Sequence, residues 1–380
     1  MRIEAVDVYH VAMPLRVRWR TAASEETAIH SVIVRLKTEA GIGWAETAPH
    51  RAPLYSPEWA AGTFAVLRDW LAPAVLGARV TSGDRLQDLL RAFKGHQFAK
   101  AGLDVAWWDA NARTLRQPVW RLIGGRADPV AVGADLGIEE TLDALLAAVQ
   151  RCVDAGFARV KLKARRGWAL EMVHAVRAAF PRLRIHIDCN SGFTLDDLEM
   201  FRGLDRYDLA MIEQPLAHDD LLDHAELQKR LDTPLCLDES ITGVSRARHA
   251  IALGSCRWIN IKVGRVGGMT PALEVQRVCR DAGVPNWMGS MLESALGQAP
   301  TLAMATLDNM HYPSDIFPSA RFYEHDLASP PIELSGPSHI TPSAESGFGV
   351  EPVPERLASM TIQRANLGPS HAAVSPGTTP

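Results

Sequence analysis

The chain has 380 residues, 47% hydrophobic and 22% charged, with a formal net charge of −4. This is an ordinary globular balance, long enough for two domains or one decorated barrel. The small negative charge gives no support to a nucleic-acid or anionic-membrane role, and no apolar run is long enough to span a bilayer.

Residues 3–15 and 30–47 read as strands, the second stretch a hairpin with Gly41 and Gly43 near its turn. Between them, residues 16–27 (RVRWRTAASEET) are polar and without clear period. They read either as a mobile lid or as a plain surface loop, and residues 51–56 (RAPLYS) share that ambiguity. Helical periodicity covers residues 57–76, 83–93 and 96–116. In the last, Ala101, Val105, Trp108 and Ala112 share a face, and the two tryptophans read as packing residues. Pro118 and the pair Gly124-Gly125 mark a boundary, so residues 1–127 are expected to form an α+β domain.

The rest alternates. Strands are expected at about 129–137, 159–163, 184–188, 209–213, 234–238, 258–262 and 285–288, with a short eighth near 309–313. Helical stretches fall between them at about 139–155, 168–180, 194–206, 218–231, 244–253 and 268–282, and at 294–307. That is the pattern of a (β/α) barrel over residues 128–325. Residues 326–363, rich in proline and glycine, are expected to pack back on the first domain, and 364–380 to form a disordered tail. Five cysteines without CxxC spacing read as reduced thiols in a cytoplasmic protein, and the alternating N-terminus lacks a signal-peptide core.

Several of these barrel strands end in a charge. Lys161 and Lys163 lie in RVKLK, Asp188 in RIHIDCN, Glu213 in LAMIEQP, Asp238 in PLCLDES and Lys262 in WINIKVG, at intervals of 24 or 25 residues from Lys163 onward. Barrels place their chemistry at the carboxyl ends of their strands, where these residues stand. Strand side chains alternate, so Lys161 and Lys163 point the same way. Buried charges need partners, and three adjacent carboxylates suit a hard divalent cation such as Mg²⁺, with no histidine–cysteine cluster to favour zinc. His186, one layer deeper, reads as a core histidine. Three carboxylates and a divalent ion leave the site near neutral before the lysines are counted. A carboxylate substrate would then be welcome, and loss of its α-proton would give an enediolate that the cation can stabilise. Lys163 serves as the base if the charge of Lys161 lowers its pKa, and Lys262 approaches from the other side. A set of barrel-end salt bridges is the alternative, poorly suited to the regular spacing.

At these residues the chain resembles the enolase superfamily, in its muconate-lactonizing-enzyme subgroup. It is most similar there to the o-succinylbenzoate synthase / N-acylamino acid racemase family. The likeness rests on Lys161-Leu162-Lys163, the three carboxylates and Lys262. It also rests on FKGHQFAKAGLDVAWWD, MIEQPL, HAELQKRLDTPLCLDESI, INIKVGRVGG and ARFYEHDL, and it runs to about residue 360. It implies α/β architecture, a modified TIM barrel (β/α)7β with an N-terminal α+β capping domain completed by the C-terminal segment. It further implies Mg²⁺, with Mn²⁺ as a substitute, held by Asp188, Glu213 and Asp238, a small carboxylate substrate and a homo-oligomer. Lys163 would act on one face and Lys262 on the other, or Lys262 would be a cationic stabiliser in a dehydration. Asn190 and Glu239 match positions that orient metal ligands, and Arg265 one that sits behind Lys262.

Asp135 departs from the family's usual small polar residue; it would repel a succinyl carboxylate and favour a cationic or hydrogen-bond-donating group. Gln298 replaces an arginine, and Cys189 stands where alanine is commoner. Asp135, Ser290, Met291 and Glu293 are the expected substrate contacts. Racemisation and dehydration to o-succinylbenzoate are both permitted. A dipeptide epimerase, which would want two aspartates on the eighth strand where only Asp315 stands, a cycloisomerase and a non-catalytic barrel are the alternatives.

Overall fold

The structure is a computed structural model that describes residues 1–21 and 24–371. Three antiparallel strands open the chain: β1 (Ile3–Arg20), β2 (Glu25–Thr38) and β3 (Gly41–Thr47). The stretch expected as an irregular loop at 16–27 is therefore, at both ends, strand. Trp19 pairs with Glu26 and Arg20 with Glu25, after an irregularity that begins at Pro14. The physical reason is one-sided burial: Trp19 packs edge-on against Phe322 at 5.5 Å, while its arginine neighbours face water. A polar hairpin arm of this kind shows little periodicity in composition.

The long helix α1 (Gln97–Thr114) lies across the sheet and is buried nearly all round, because it is wedged between that sheet and the second domain. Trp107 and Trp108 meet edge to face, and Trp108 donates to Thr270 Oγ1 at 3.0 Å, so both pack as expected.

Seven parallel strands follow, hydrogen-bonded in chain order: β4 (Ala134–Leu136), β5 (Arg159–Lys163), β6 (Arg184–Asp188), β7 (Ile212–Glu213), β8 (Leu235–Leu237), β9 (Trp258–Ile261) and β10 (Asn286–Met288). Helices lie between them, ending with α2 (Met269–Asp281) before β10 and α3 (Ala295–Ala305) after it. The eighth stretch is not a regular strand. It bridges instead: Asn286 pairs with Met310 on one side and Val132 with Ser314 on the other. The Asn286 amide donates to Asn309 O and the Gly133 amide to Ser314 O, at 3.1 and 3.0 Å, so the sheet curls round to this segment.

The last strand, β11 (Thr361–Leu367), joins β1 antiparallel and makes the first sheet's order β11-β1-β2-β3. Residues 364–367, expected in a disordered tail, thus belong to the sheet. Most of β11 is exposed, so its place is set by ladder hydrogen bonds and by Asn366 donating to Asp7, features that core-forming composition does not report. The remainder of the expected tail, 372–380, lies outside the described residues.

Two buried carboxylates tie the first domain to the barrel. Glu46 on β3 takes hydrogen bonds from Ser31 Oγ at 2.8 Å, from Ser294 and from the Gly297 amide at 3.2 Å, and so caps α3. Burial pushes its pKa up to about 8, against the pull of the Ser294 hydrogen bond. Asp104 on α1 accepts from the Thr270 amide at 3.0 Å and caps α2 in the same way. The five cysteines are free and buried. Among the described residues no helix is long and apolar enough to cross a membrane.

Candidate active site

Alternation on β5 turns Arg159, Lys161 and Lys163 to the barrel interior, one above the other. Asp188 ends β6 and Glu213 ends β7, while Asp238 and Lys262 follow directly on β8 and β9. All six of the strand-end residues from Lys161 to Lys262 are buried.

The ammonium of Lys161 lies 3.1 Å from both Asp188 Oδ2 and Glu213 Oε2 and 3.0 Å from Asp315 Oδ2. Lys163 donates to Asp188 Oδ2 at 2.7 Å, with Trp19 of the β1 hairpin over it at 6.0 Å. Lys262 donates to Asp238 Oδ2 at 2.9 Å and to the Tyr55 hydroxyl at 3.0 Å. Arg265 reaches Asp238 as well, and donates to Tyr55 at 2.7 Å and to Asn260 O at 2.7 Å. Asn190 donates from its amide nitrogen to Asp188 Oδ1 at 3.0 Å and from its side chain to Glu239 Oε1 at 3.1 Å. Asn260 holds the other oxygen of Glu213 at 2.7 Å. His186 is a core histidine between Tyr312 and Glu213, its pKa lowered by burial against the pull of Glu213.

The backbone is bent hard where these strands end. Asn190, Ser191, Gln214 and Leu292 all adopt left-handed conformations, at φ 42°, 60°, 36° and 59°. Such conformations in residues with side chains cost energy and gather where a site over-determines them.

One cavity is lined by Lys161, Lys163 and Lys262, by Asp135, Ser290 and Met291, and by Trp19, His50, Leu54 and Tyr55 from the first domain. Of the expected substrate contacts, Glu293 is not brought to the cavity; it folds back to accept the Met291 amide at 2.7 Å. Asp135 stands 3.7 Å from both Lys161 and Lys163. Tyr55 and Arg159 are not among the residues expected from sequence, and Asp315 enters there only as the lone aspartate of the eighth strand. Arg159 shares the inward parity of Lys161 and could have been found on that ground, whereas Tyr55 comes from the irregular stretch 51–56 and leaves no such trace.

The lysine environment also corrects an expectation. Burial and the charge of Lys161 do work to lower the pKa of Lys163, but Asp135 and Asp188 outweigh them and hold it above the ordinary lysine range. Burial likewise opposes Lys262, and Asp238 with Tyr55 overrides it. Asp188 is held well below the usual carboxylate range, because Lys163 and Lys161 outweigh the upward push of burial.

Among the described residues no three carboxylate, histidine or cysteine side chains already converge as a cation cage; each strand-end carboxylate is turned to an ammonium or guanidinium. The donor chemistry nevertheless fits a hard cation. Three ionisable carboxylates come from adjacent strands, and beside them Asn190 Oδ1 and Glu239 Oε2 are buried without a hydrogen-bond partner among the described residues. The nearby Cys189 thiol, driven up by burial, offers no thiolate to compete.

The chain as a whole is similar to known proteins. The family described as mandelate racemase / muconate lactonizing enzyme, N-terminal domain, matches residues 3–124, and the enolase C-terminal domain-like family matches 144–356. An N-succinylamino acid racemase of Thermus thermophilus is 39% identical over 355 residues, 93% of each chain. An o-succinylbenzoate synthase of Geobacillus stearothermophilus is 37% identical, over 92% of this chain and 94% of its own. The solved structure of an enolase superfamily member from Listeria innocua superposes with a TM-score of 0.93 at 32% identity, over 97% of this chain and 99% of that one.

Proposed function

Since the chain belongs to the mandelate racemase / muconate lactonizing enzyme family of the enolase superfamily, and is an enzyme akin to its N-succinylamino acid racemases and o-succinylbenzoate synthases, we propose that it abstracts the proton α to the carboxylate of an N-acylamino acid and returns one on the opposite face. The observation that carries this is the pair Lys163 and Lys262. They line one cavity from strands well separated in the curled sheet, with Asp188, Glu213 and Asp238 on the strands between.

Lys163 Nζ, as the free amine, takes the α-proton of one enantiomer, leaving an enediolate; Lys262 Nζ, as the ammonium, delivers a proton from the other side, and these protonation states reverse for the other enantiomer. Lys161 keeps a fixed positive charge beside the substrate carboxylate. Tyr55 and Arg265 hold Lys262 and Asp238 together and so fix the direction of approach. Trp19 and the first-domain residues over the cavity exclude water from the lysines. Asp188, Glu213 and Asp238 would hold Mg²⁺, which would supply positive charge at the substrate carboxylate and would compete for the carboxylates that now hold the protons of Lys163 and Lys262.

Dehydration to o-succinylbenzoate needs the same proton removal and is the second reading, favoured by relatives such as that of G. stearothermophilus. Epimerisation of a cationic dipeptide is disfavoured, because Asp315 is spent on Lys161 and Arg159 and does not line the cavity.

The test is loss of the α-proton signal by proton NMR in D₂O with Mg²⁺ and a panel of N-succinyl and N-acetyl amino acids. Exchange that stops on adding EDTA supports the proposed chemistry; no exchange across the panel overturns it. Binding can be checked without turnover. Mg²⁺ at a hundred times its Kd is expected to stabilise the fold by about 2.7 kcal/mol, seen as a rise in Tm. An unchanged Tm at millimolar Mg²⁺ would count against the metal site, as would the same rise in a variant with both Asp188→Asn and Glu213→Gln.

A further inference from the structure

We propose, resting on the α-proton chemistry above, that Asp135 is a specificity-determining residue. It accepts the amide N–H on the substrate's α-carbon and so selects N-acylamino acids over acids that carry oxygen or a methylated nitrogen there.

Asp135 is the middle residue of β4, in register with Lys161 of β5. Its backbone is clamped, since Arg321 donates to its carbonyl at 2.8 Å. Its side chain is only 7% exposed and lines the cavity. Yet among the described residues Oδ1 has no hydrogen-bond partner, and Oδ2 has only the two ammoniums at 3.7 Å, beyond hydrogen-bond length. A desolvated carboxylate has room for several donors, and leaving that capacity unused is costly. A rigidly held acceptor of this kind, open only to the cavity, is matched by a ligand that brings a donor.

The position of the donor follows from the neighbours. Asp135 lies equally close to Lys163, one of the two lysines that address the α-carbon, and to Lys161. The nitrogen of an N-acylamino acid is one bond from that carbon. Of the α-carbon's substituents other than its own carboxylate, only the nitrogen always brings a donor for the carboxylate that lies beside Lys163. The other unpartnered atoms do not meet this need. On the cavity wall, Ser290 Oγ and Ser191 Oγ can donate or accept as required, Asn190 Oδ1 and Glu239 Oε2 lie with the strand-end carboxylates, and the uncharged His50 ring is a weaker acceptor than a carboxylate. An acyl group that ends in its own carboxylate must point that end away from Asp135.

The experiment measures kcat/KM for α-proton exchange on an N-acetyl amino acid, its N-methyl analogue and its O-acetyl 2-hydroxy acid counterpart, in the wild type and in Asp135→Ser. The comparison between proteins cancels the intrinsic acidity of each substrate. The preference of the wild type for the N–H compound is expected to fall by about 10- to 100-fold in Asp135→Ser. A preference unchanged within about threefold would overturn the role of Asp135 while leaving α-proton chemistry intact. Exchange by the wild type on none of the compounds would instead overturn the chemistry, and this role with it. A measurement without a variant guards against misfolding: calorimetric titration of wild-type enzyme with N-acetyl-2-methylalanine, which has no α-proton, and with its ester counterpart. Tighter binding of the N–H compound by about tenfold or more is expected, and equal affinity would refute the assignment.

Discussion

Lys163→Ala is expected to lower kcat for racemisation by about 10²- to 10⁴-fold, the usual reach of a positioned acid–base group, and Lys262→Ala to do the same. The informative difference lies in the exchange that survives. If the two lysines serve opposite faces, each variant keeps one working base. Lys163→Ala should still exchange the α-proton of one enantiomer for deuterium without inverting it, and Lys262→Ala should do so for the other. Deuterium incorporation followed by chiral chromatography reads this out. Loss of both activities in both variants would mean that one lysine acts first on either enantiomer and the other only supports charge. Full activity in Lys163→Ala would remove the mechanism altogether. Because each lysine is held by carboxylates, the Ala variants also leave those carboxylates underpaired. Lys163→Arg, which keeps the positive charge but is a far poorer base, separates the two effects.

The second large effect concerns stability. Asp315 sits under the site with Arg159 at 2.7 Å and Lys161 at 3.0 Å, all three buried. Asp315→Asn leaves Arg159 and part of the charge of Lys161 without an anion in the barrel interior. Breaking a buried pair in this way costs about 3–5 kcal/mol, measurable as a lower urea midpoint. Burial tends to raise the Asp315 carboxyl, but Lys161 and Arg159 outweigh it and hold it well below the ordinary aspartate range. For a depressed carboxyl the stabilisation is present in full above the unfolded-state pKa and is lost as the pH falls through the folded one. The difference between wild type and variant should therefore be complete at neutral pH and shrink only in strong acid. A loss under about 1 kcal/mol at neutral pH would show that water or rearrangement compensates the guanidinium.

What could be seen in advance follows from which residues obey a local rule. Parallel strands buried on both faces read as short apolar runs, so a charge at the end of each stands out. Lys161, Lys163, Asp188, Glu213, Asp238 and Lys262 announce themselves in that way. Tyr55 obeys no such rule: it reaches Lys262 only because the first domain folds over the barrel mouth, across 207 residues of sequence. Asp315 stands alone in its segment and acquires a purpose only through two cations 154 or more residues away. The polarity of the Lys163 environment was hidden for a related reason. Lys161 is its visible neighbour, but the balance is set by Asp135 and Asp188 on the flanking strands. The β11 strand obeys no such rule because a backbone ladder holds it, and the β1 hairpin arm because Trp19 is its single buried apolar residue among exposed neighbours.

The pairing of β11 with β1 has a bearing on how the molecule comes into being. Asn366 and Asp7 touch although 359 residues separate them along the chain. During synthesis β1 leaves the ribosome before β11 and waits for its outer neighbour until the barrel between them has been made. Until then its backbone groups on that side form an open edge, able to pair with another nascent chain. Long-range closure of this kind is slow and leaves partly folded chains exposed to association. The barrel in between is assembled from neighbouring βα units and can mature earlier. The newborn protein thus passes through a stage in which its barrel strands are present before the sheet that covers them is complete.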